Sequence, residues 1–425
     1  MITTAKSAEI QMLNQAYSGC VVKYGEMHNH TAAGPQADGW HTLAQWAEEM
    51  QKLGMSFATI VDHKQVAHMY HDDWRAEPEL DKDGNVISDI VFIGGSEPGT
   101  HITDIGATQD SLHYNMIIND PQKMLDILRS AGEFVFKEFA TYADYCGNGY
   151  NDTNNKAMLY DPTEYSADSE GVLRIFSYPR FTKAGINALT KAYYDAGGLL
   201  VHAHPKYLSY LVSDNPLDYF FGEDATSQDG AAMGFEIHTC SNKYYDPSFV
   251  CNEDAYQTWI QMLRAGKKAY ATYGNDNHRL PTAHALTTVY VPERANSDVY
   301  MSHIHSGNIT AGWVGIRMKL GEAVMGGLTS FQDQRLIFSV GDMYKNAYAT
   351  ETTPTFDPSY NPEHEYVVQL YDETGVLMEE TVDPGQMTYF AVDARKDARY
   401  YRVVVWDKTA GYRCAVGNPI WNCAK

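Results

Sequence analysis

The stretch Gly197-Gly198-Leu199-Leu200-Val201-His202-Ala203-His204-Pro205 carries a helix stop, a short apolar run and a histidine-rich end in nine residues. Ahead of it, Ile186 to Ala196 reads as a helix, and the glycine pair closes it. Leu199-Leu200-Val201 is then a buried strand that runs directly into polar side chains. The same order of events recurs. Leu43, Trp46, Ala47, Met50 and Leu53 recur at helical spacing, Gly54 stops the helix, and Phe57-Ala58-Thr59-Ile60-Val61 ends at Asp62-His63. Tyr256 to Leu263 leads through Gly266 into Ala269-Tyr270-Ala271-Thr272-Tyr273, which ends at Gly274-Asn275-Asp276-Asn277-His278. From residue 20 to about 283 this alternation predicts repeated βα units around a largely parallel sheet or barrel. In such folds the C-terminal ends of strands are where active sites are built.

Residues 120 to about 182 break the rhythm. Tyr142, Tyr145, Tyr150, Tyr160, Tyr165 and Tyr178 fall in a loop-rich stretch with the turn formers Gly147-Asn148-Gly149, Asn151, Asp152 and Asn154. It reads as an insertion, either a lid or an excursion packed on the barrel. After residue 284 the pattern changes to alternating strands at 336–340, 366–370, 376–381 and 400–406, which predicts a small β-sandwich. The expected organisation is therefore a catalytic barrel over 1–283 and a β-rich domain over 284–425. Thirteen of the sixteen histidines lie at or before His284, so the histidine chemistry belongs to the first part.

Composition narrows the function classes. The 425 residues are 44% hydrophobic and 20% charged, as in a soluble globular protein, with no window of membrane-span length. The N-terminus lacks a basic and apolar leader pattern, so a cytoplasmic location is expected. Six scattered cysteines without CxxC spacing fit reduced thiols, and only Cys414 and Cys423 are close in sequence. A net charge of −22 argues against a long nucleic acid, whose binding is driven by Lys and Arg displacing counterions. A small anionic substrate drawn to bound metal stays compatible. No membrane partner is expected, and a homo-oligomer is left open.

His28-Asn29-His30 follows the apolar Cys20-Val21-Val22, and two imidazoles at i and i+2 on a strand project to one side, where they can chelate one ion. A lone pair of this kind is more often structural. Its company changes that: Asp38-Gly39, Asp62-His63, Gly95-Ser96-Glu97, Leu112-His113, His204-Pro205 and Asp276 with His278. Histidines and carboxylates have no structural reason to gather repeatedly at strand ends, so a metal site is expected.

In order and context these motifs resemble the PHP (polymerase and histidinol phosphatase) family over residues 20 to 280. The resemblance implies a distorted seven-stranded (βα) TIM-like barrel with two or three divalent ions (Zn, Mn or Fe) at its mouth. One ion would be held by His28, His30, Glu97 and Asp276, and a second by Glu97, His113 and His204, with Glu97 bridging. A third would use Asp38, His63 and His278. Glu26-Met27 and Val61 depart from the family's usual residues beside these motifs, and Lys64 stands where several relatives place an acidic or small residue. The tail, Tyr400 to Val405 with Gly417-Asn418-Pro419-Ile420-Trp421, looks like the carbaryl-hydrolase-like branch.

Two ions sharing a carboxylate can hold a bridging hydroxide and clamp both oxygens of an in-line displacement. The expected activity is thus hydrolysis of a small phosphate mono- or diester, such as a nucleotide or sugar phosphate. Carbamate, amide or carboxyl-ester hydrolysis is the alternative, and a noncatalytic metal- or nucleotide-binding regulator is another. Arg279 is the first candidate for gripping an anionic oxygen, with Lys64 next. His202 either protonates a leaving group or supports a ligand. Asp62 reads as a carboxylate that orients a ligating histidine. Glu236 and His238 read as hydrogen-bonded barrel residues. His41, His68, His71 and His101 read as non-ligands, and His303 and His305 as exposed.

Overall fold

The computed structural model describes residues 3–34, 36–106, 112–132, 134–147, 170–177, 180–205, 215–227, 229–239, 250–345 and 360–424. Seven strands form a curled sheet: β1 (Cys20–Asn29), β2 (Phe57–Ile60), β3 (Val91–Ser96), β4 (Tyr114–Ile117), β5 (Leu199–His202), β6 (Met233–Thr239) and β7 (Ala269–Gly274). They pair in chain order from β1 to β7. All pairs are parallel except those of β4, which runs antiparallel to both β3 and β5. The link from β3 to β4 carries no helix among its described residues. The two ends of the sheet meet at a single parallel bridge, Asn29 with Asn277, where His30 N–H donates to the Asn277 carbonyl at 2.9 Å. The sheet therefore curls until its ends touch at the mouth, without a full ladder between β7 and β1.

The helices begin and end where local chemistry requires. The first, α1 (Ser7–Ala16), lies near the C-terminal strands. In α2 (Leu43–Leu53), Thr42 accepts from the Gln45 N–H and Gly54 closes the helix at φ 69, a left-handed conformation that glycine adopts without steric cost. Asp120 caps α3 (Pro121–Ala131) and Thr182 caps α5 (Lys183–Asp195). Together with α6 (Val250–Arg264) these helices cover the outside of the sheet. No α-helix joins β2 to β3, where a 3-10 turn (Ala67–Tyr70) and a small hairpin stand instead. The described part of 120–182 is not loop-rich: besides α3 it holds the antiparallel pair Val135–Phe139 and Leu173–Ser177, with α4 (Tyr142–Gly147) beside it. Tyr150, Tyr160, Tyr165 and Tyr178 lie outside the described residues.

One end of the curled sheet is plugged. Tyr300, Met301 and Ile304 of α7 (Ser297–Ser306) pack on Phe57, Val91, Leu199 and Tyr270, which lie at the starts of the strands. The Phe57 and Tyr300 rings are 4.8 Å apart. Polar side chains are thereby left to the other end, where the parallel strands finish. The paired histidines of α7 belong to the plugged end. Two residues apart on a helix they diverge, and neither is exposed: His305 stacks on Tyr194 at 4.0 Å and His303 lies beside Asn308.

The C-terminal strands do not make a self-contained sandwich. β8 (Thr287–Pro292) pairs antiparallel with β1 along six residues. From it the sheet continues through β9 (Thr310–Gly312) to the strands Tyr412–Gly417, Tyr400–Asp407, Tyr366–Asp372 and Gly375–Val382. A second sheet orders the N-terminal Thr3–Thr4, Thr388–Asp393, Arg335–Gly341, Gly315–Leu320 and Ala323–Val324. Apolar residues of both sheets, among them Ile316, Phe338, Val368 and Val403, share the core that also lies behind the curled sheet. The curled sheet thus runs on into strands that follow residue 284, through the pairing of β8 with β1. Cys414 and Cys423 are free thiols, Cys414 buried and Cys423 exposed. No helix among the described residues is long and apolar enough to cross a membrane.

Candidate metal centre

The open end gathers nine side chains from separate strand ends and loops. His28 lies on β1 and His30 just beyond it, while Asp38 comes from the following loop and His63 from the end of β2. Glu97 follows β3, His113 precedes β4, His204 follows β5, and Asp276 and His278 follow β7. Their ligand atoms fall into three overlapping groups: His28, His30, Glu97 and Asp276; Glu97, His113 and His204; His30, Asp38, His63 and His278. The third group contains His30 in addition to the three residues expected there.

Glu97 sits at the junction of the first two groups. Its Oε1 is 3.1 Å from His113 Nδ1 and 3.0 Å from His204 Nε2. Its Oε2 faces the other way, 3.1 Å from His30 Nε2 and 3.3 Å from His28 Nε2. Asp276 Oδ1 completes that side at 3.4 and 3.5 Å from the same two nitrogens. Asp38 Oδ2 is 3.3 Å from His63 Nε2 and 3.1 Å from His278 Nε2.

These residues fit divalent ions. His28 Nε2 and His30 Nε2 face each other at 3.2 Å, and donor atoms sharing one ion at about 2.1 Å sit roughly 3–3.5 Å apart. Glu97 Oε2, His30 Nδ1 and Asp38 Oδ1 are buried without a hydrogen-bond partner among the described residues, a costly state for polar atoms that have nothing to bind. Imidazoles and carboxylates together suit Zn, Mn or Fe.

Electrostatics point the same way. Burial raises the Glu97 carboxyl, but His28 and His113 outweigh it and hold the group well below the carboxylate range. Burial lowers His28, and Glu97 and Glu236 more than reverse that. His63 is likewise opposed by burial yet raised to about 10 by Asp38, and His278 to about 9 by Asp38 and Asp276. Asp38 and Asp276 are held low by the surrounding histidines against the effect of burial. Asp38, Glu97 and Asp276 are ionised at neutral pH, and in the metal-free cluster His28, His63 and His278 hold protons that an ion would displace.

No protein-family model matches the sequence, and no curated protein matches it. Among solved structures it is similar to a Bifidobacterium adolescentis protein ascribed metal-dependent phosphoesterase activity, at 17% identity and a TM-score of 0.33, over 66% of this chain and 96% of that one. It is also similar to the lesion-specific endonuclease PfuEndoQ from Pyrococcus furiosus, at 11% identity and a TM-score of 0.36. A structure of Endonuclease Q with a 27-mer duplex bearing an abasic lesion at the active site aligns at 10% identity and a TM-score of 0.27. The chain spans 56% of the length of either endonuclease structure, over 67% of its own.

Around the nine residues, several partners differ from those expected. Asp62 does not touch a ligand histidine. It accepts from the Thr31 N–H at 2.5 Å and the Thr31 hydroxyl at 2.8 Å, and meets His68 Nδ1 at 3.2 Å, so it fixes the chain immediately after His30. The carboxylate behind a ligand is Glu236, whose Oε1 is 3.3 Å from His28 Nδ1 and whose Oε2 accepts from the His204 N–H. In the sequence Glu236 is one polar residue in the strand Gly234-Phe235-Glu236-Ile237-His238, and nothing marks its partner. Gly274 marks it indirectly: a Cβ there would fall 1.6 Å from Glu236 Oε1 and 2.7 Å from His28 Cβ, so only glycine leaves room for the pair. The main chain orients two more imidazoles, through the Glu97 carbonyl to His63 Nδ1 at 2.9 Å and the Asp276 carbonyl to His278 Nδ1 at 3.1 Å.

His202 is outside all three groups. On a strand it would share a side with His204, but His204 takes φ 29 and the left-handed turn swings its ring inward. His202 stays against Tyr114, Tyr219 and Phe235, and burial pushes it down to about 3. Burial and the neighbouring His204 and His113 thus favour the neutral form of this imidazole. Asp276 also adopts a left-handed φ of 46, and Lys64 one of 59. Backbone strain of this kind concentrates at functional sites. Lys64 is half-buried, and its carbonyl accepts from Phe176 N–H of the excursion hairpin. Arg279 is exposed at the rim with its guanidinium 5.0 Å over the Trp40 ring.

Proposed function

We propose that this chain is a PHP-type metal-dependent hydrolase, with β1 to β7 as its distorted barrel, that cleaves a small phosphate mono- or diester. The observation that carries the reading is Glu97, whose two carboxylate oxygens each face a different set of histidines. That is the disposition a carboxylate needs to be shared by two ions about 3.5–4 Å apart, the arrangement used for in-line displacement at phosphorus. His28, His30, Glu97 and Asp276 would hold one ion and Glu97, His113 and His204 a second, with Asp38, His63, His278 and His30 placed for a third. Bound ions would supply an activated water nucleophile and neutralise charge on the phosphoryl oxygens.

The chain's own residues do the rest. Glu236 holds the His28 ring by its Nδ1 and the His204 backbone by its N–H, so one carboxylate sets ligands of both neighbouring groups. Asp62 holds Thr31 and hence the direction of the chain leaving His30. Arg279 grips a non-reacting anionic oxygen at the rim, and Lys64 beside His63 is the second cation within reach of the mouth.

The test is a comparison of 4-nitrophenyl phosphate, its bis-ester and 4-nitrophenyl acetate with metal-replete protein. Turnover of a phosphate ester that falls at least about a thousandfold in Glu97→Ala and His204→Ala is expected. Turnover of the acetate alone would assign the site to carboxyl-type bonds. Full phosphatase activity in the metal-stripped variants would overturn the reading.

A further inference from the structure

Among the described residues Trp40 is one of few large apolar side chains left open to solvent, 42% exposed, and it stands at the metal mouth. Its place is fixed from both sides by candidate ligands. Asp38 lies two residues before it, and the Trp40 N–H donates to the His278 carbonyl at 2.9 Å. Gly39 between them is pressed on the chain just past β1: a Cβ there would fall 2.3 Å from the His30 carbonyl oxygen. The loop therefore cannot drift away from the cluster with a side chain in between, and the indole is held at the rim.

Arg279 makes the position a composite surface. The Asn277 side-chain carbonyl accepts from the Arg279 N–H at 3.0 Å, and the guanidinium lies over the indole at 5.0 Å. No carboxylate among the described residues is within 4.0 Å of that guanidinium, although the chain carries 54 acidic residues against 32 basic ones. A guanidinium that spends its face on an aromatic ring keeps its in-plane N–H donors for a phosphoryl oxygen. Indole and guanidinium together present planar π surface beside an anion grip.

Resting on the phosphoesterase reading, we propose that Trp40 and Arg279 form a substrate subsite for an ester whose alcohol part carries a planar aromatic ring, an aryl group or a nucleobase. The ring stacks on this pair while the phosphoryl group sits at the metal cluster. Aromatic stacking of this kind discriminates by shape of the π face and tolerates differences of sequence or substituent. Aliphatic and simple sugar phosphates, which have no such face, bind the cluster without this gain.

Binding to metal-replete protein, measured by calorimetry without turnover, tests the proposal with two matched pairs: phenylphosphonate against butylphosphonate, and AMP against ribose 5-phosphate. The wild-type protein is expected to favour the ring-bearing member by about tenfold in at least one pair. Preference in the first pair alone assigns an aryl group, and preference in the second assigns a nucleobase. Trp40→Ala should bring the ratio to near one with metal content unchanged, and Trp40→Phe should restore most of it. A ratio near one in the wild type, or a ratio that survives in Trp40→Ala, would overturn the subsite, as would loss of metal from Trp40→Ala. Equal binding within each pair overturns this inference alone, whereas no binding of any of the four compounds overturns the phosphoesterase reading with it.

Discussion

The His28 imidazole is held at both ends, with Nε2 turned toward Glu97 and Asp276 and Nδ1 against Glu236. Removing the outer partner leaves the ring free to turn and lowers its basicity as a ligand. Glu236→Ala is therefore expected to weaken metal binding by about 10–100-fold with the fold retained, as read by competition with a chelator of known affinity. Unchanged affinity would mean that the contact is only packing. At this scale the sequence was most informative where motifs are local. Eight of the nine metal-ligand candidates stand beside a strand end, and Asp38 is marked instead by the Asp38-Gly39 pair that follows His28 and His30. Glu236 could not be paired with His28, because that contact joins residues 208 apart and only the folded sheet brings them together. Asp62 shows the converse. Its position beside His63 suggests a ligand histidine as partner, but its contacts go to Thr31, through the N–H and hydroxyl, and to His68, which lies outside the cluster.

Among the elements, β7 shows how a strand serves the site through a residue without a side chain. Gly274 closes β7 next to Glu236, and an added methyl group has no room there. Gly274→Ala should displace Glu236 and cost metal affinity as Glu236→Ala does, and the double variant should be little worse than either single one. Additive losses would show that the two residues act separately. Strands and helices themselves were legible wherever stops and periodicity agree, as at Gly54 and Gly197-Gly198. The direction of β4 was not, since nothing in Tyr114–Ile117 distinguishes a parallel from an antiparallel neighbour. Nor was the plug at the far end. The histidines of Ser297–Ser306 draw attention as a second HxH, while the residues that matter there are Tyr300, Met301 and Ile304. Tyr300→Ala is expected to lower stability by about 3–5 kcal/mol in denaturant titration, with metal stoichiometry preserved in the folded fraction.

For the whole molecule, the sheet that carries the site continues through Thr287–Pro292 into the C-terminal strands, so site and tail share one core. The sandwich-like alternation after residue 284 was visible in the sequence, but its joining to Cys20–Asn29 depends on a pairing between distant segments. The protein's response to pH follows from the cluster. His63 and His278, raised to about 10 and 9, stabilise the metal-free fold fully below their unfolded pKa of about 6.5 and lose that contribution as pH rises through 9–10. The depressed carboxylates Asp38, Glu97 and Asp276 contribute above about pH 4 and fail as pH falls below it. Chelator-treated protein should thus melt highest near pH 5–6, and the gain in Tm on adding metal should grow toward pH 8 because binding releases protons. A gain that shrinks over that range would contradict the assignment. The most direct test of the central claim, that Glu97 is shared between two ions, is metal content by elemental analysis in wild type, His113→Ala and Glu97→Ala. The account predicts two or three ions per wild-type chain, loss of about one in His113→Ala, and loss of two together in Glu97→Ala; a Glu97→Ala protein that keeps the full wild-type content would contradict it.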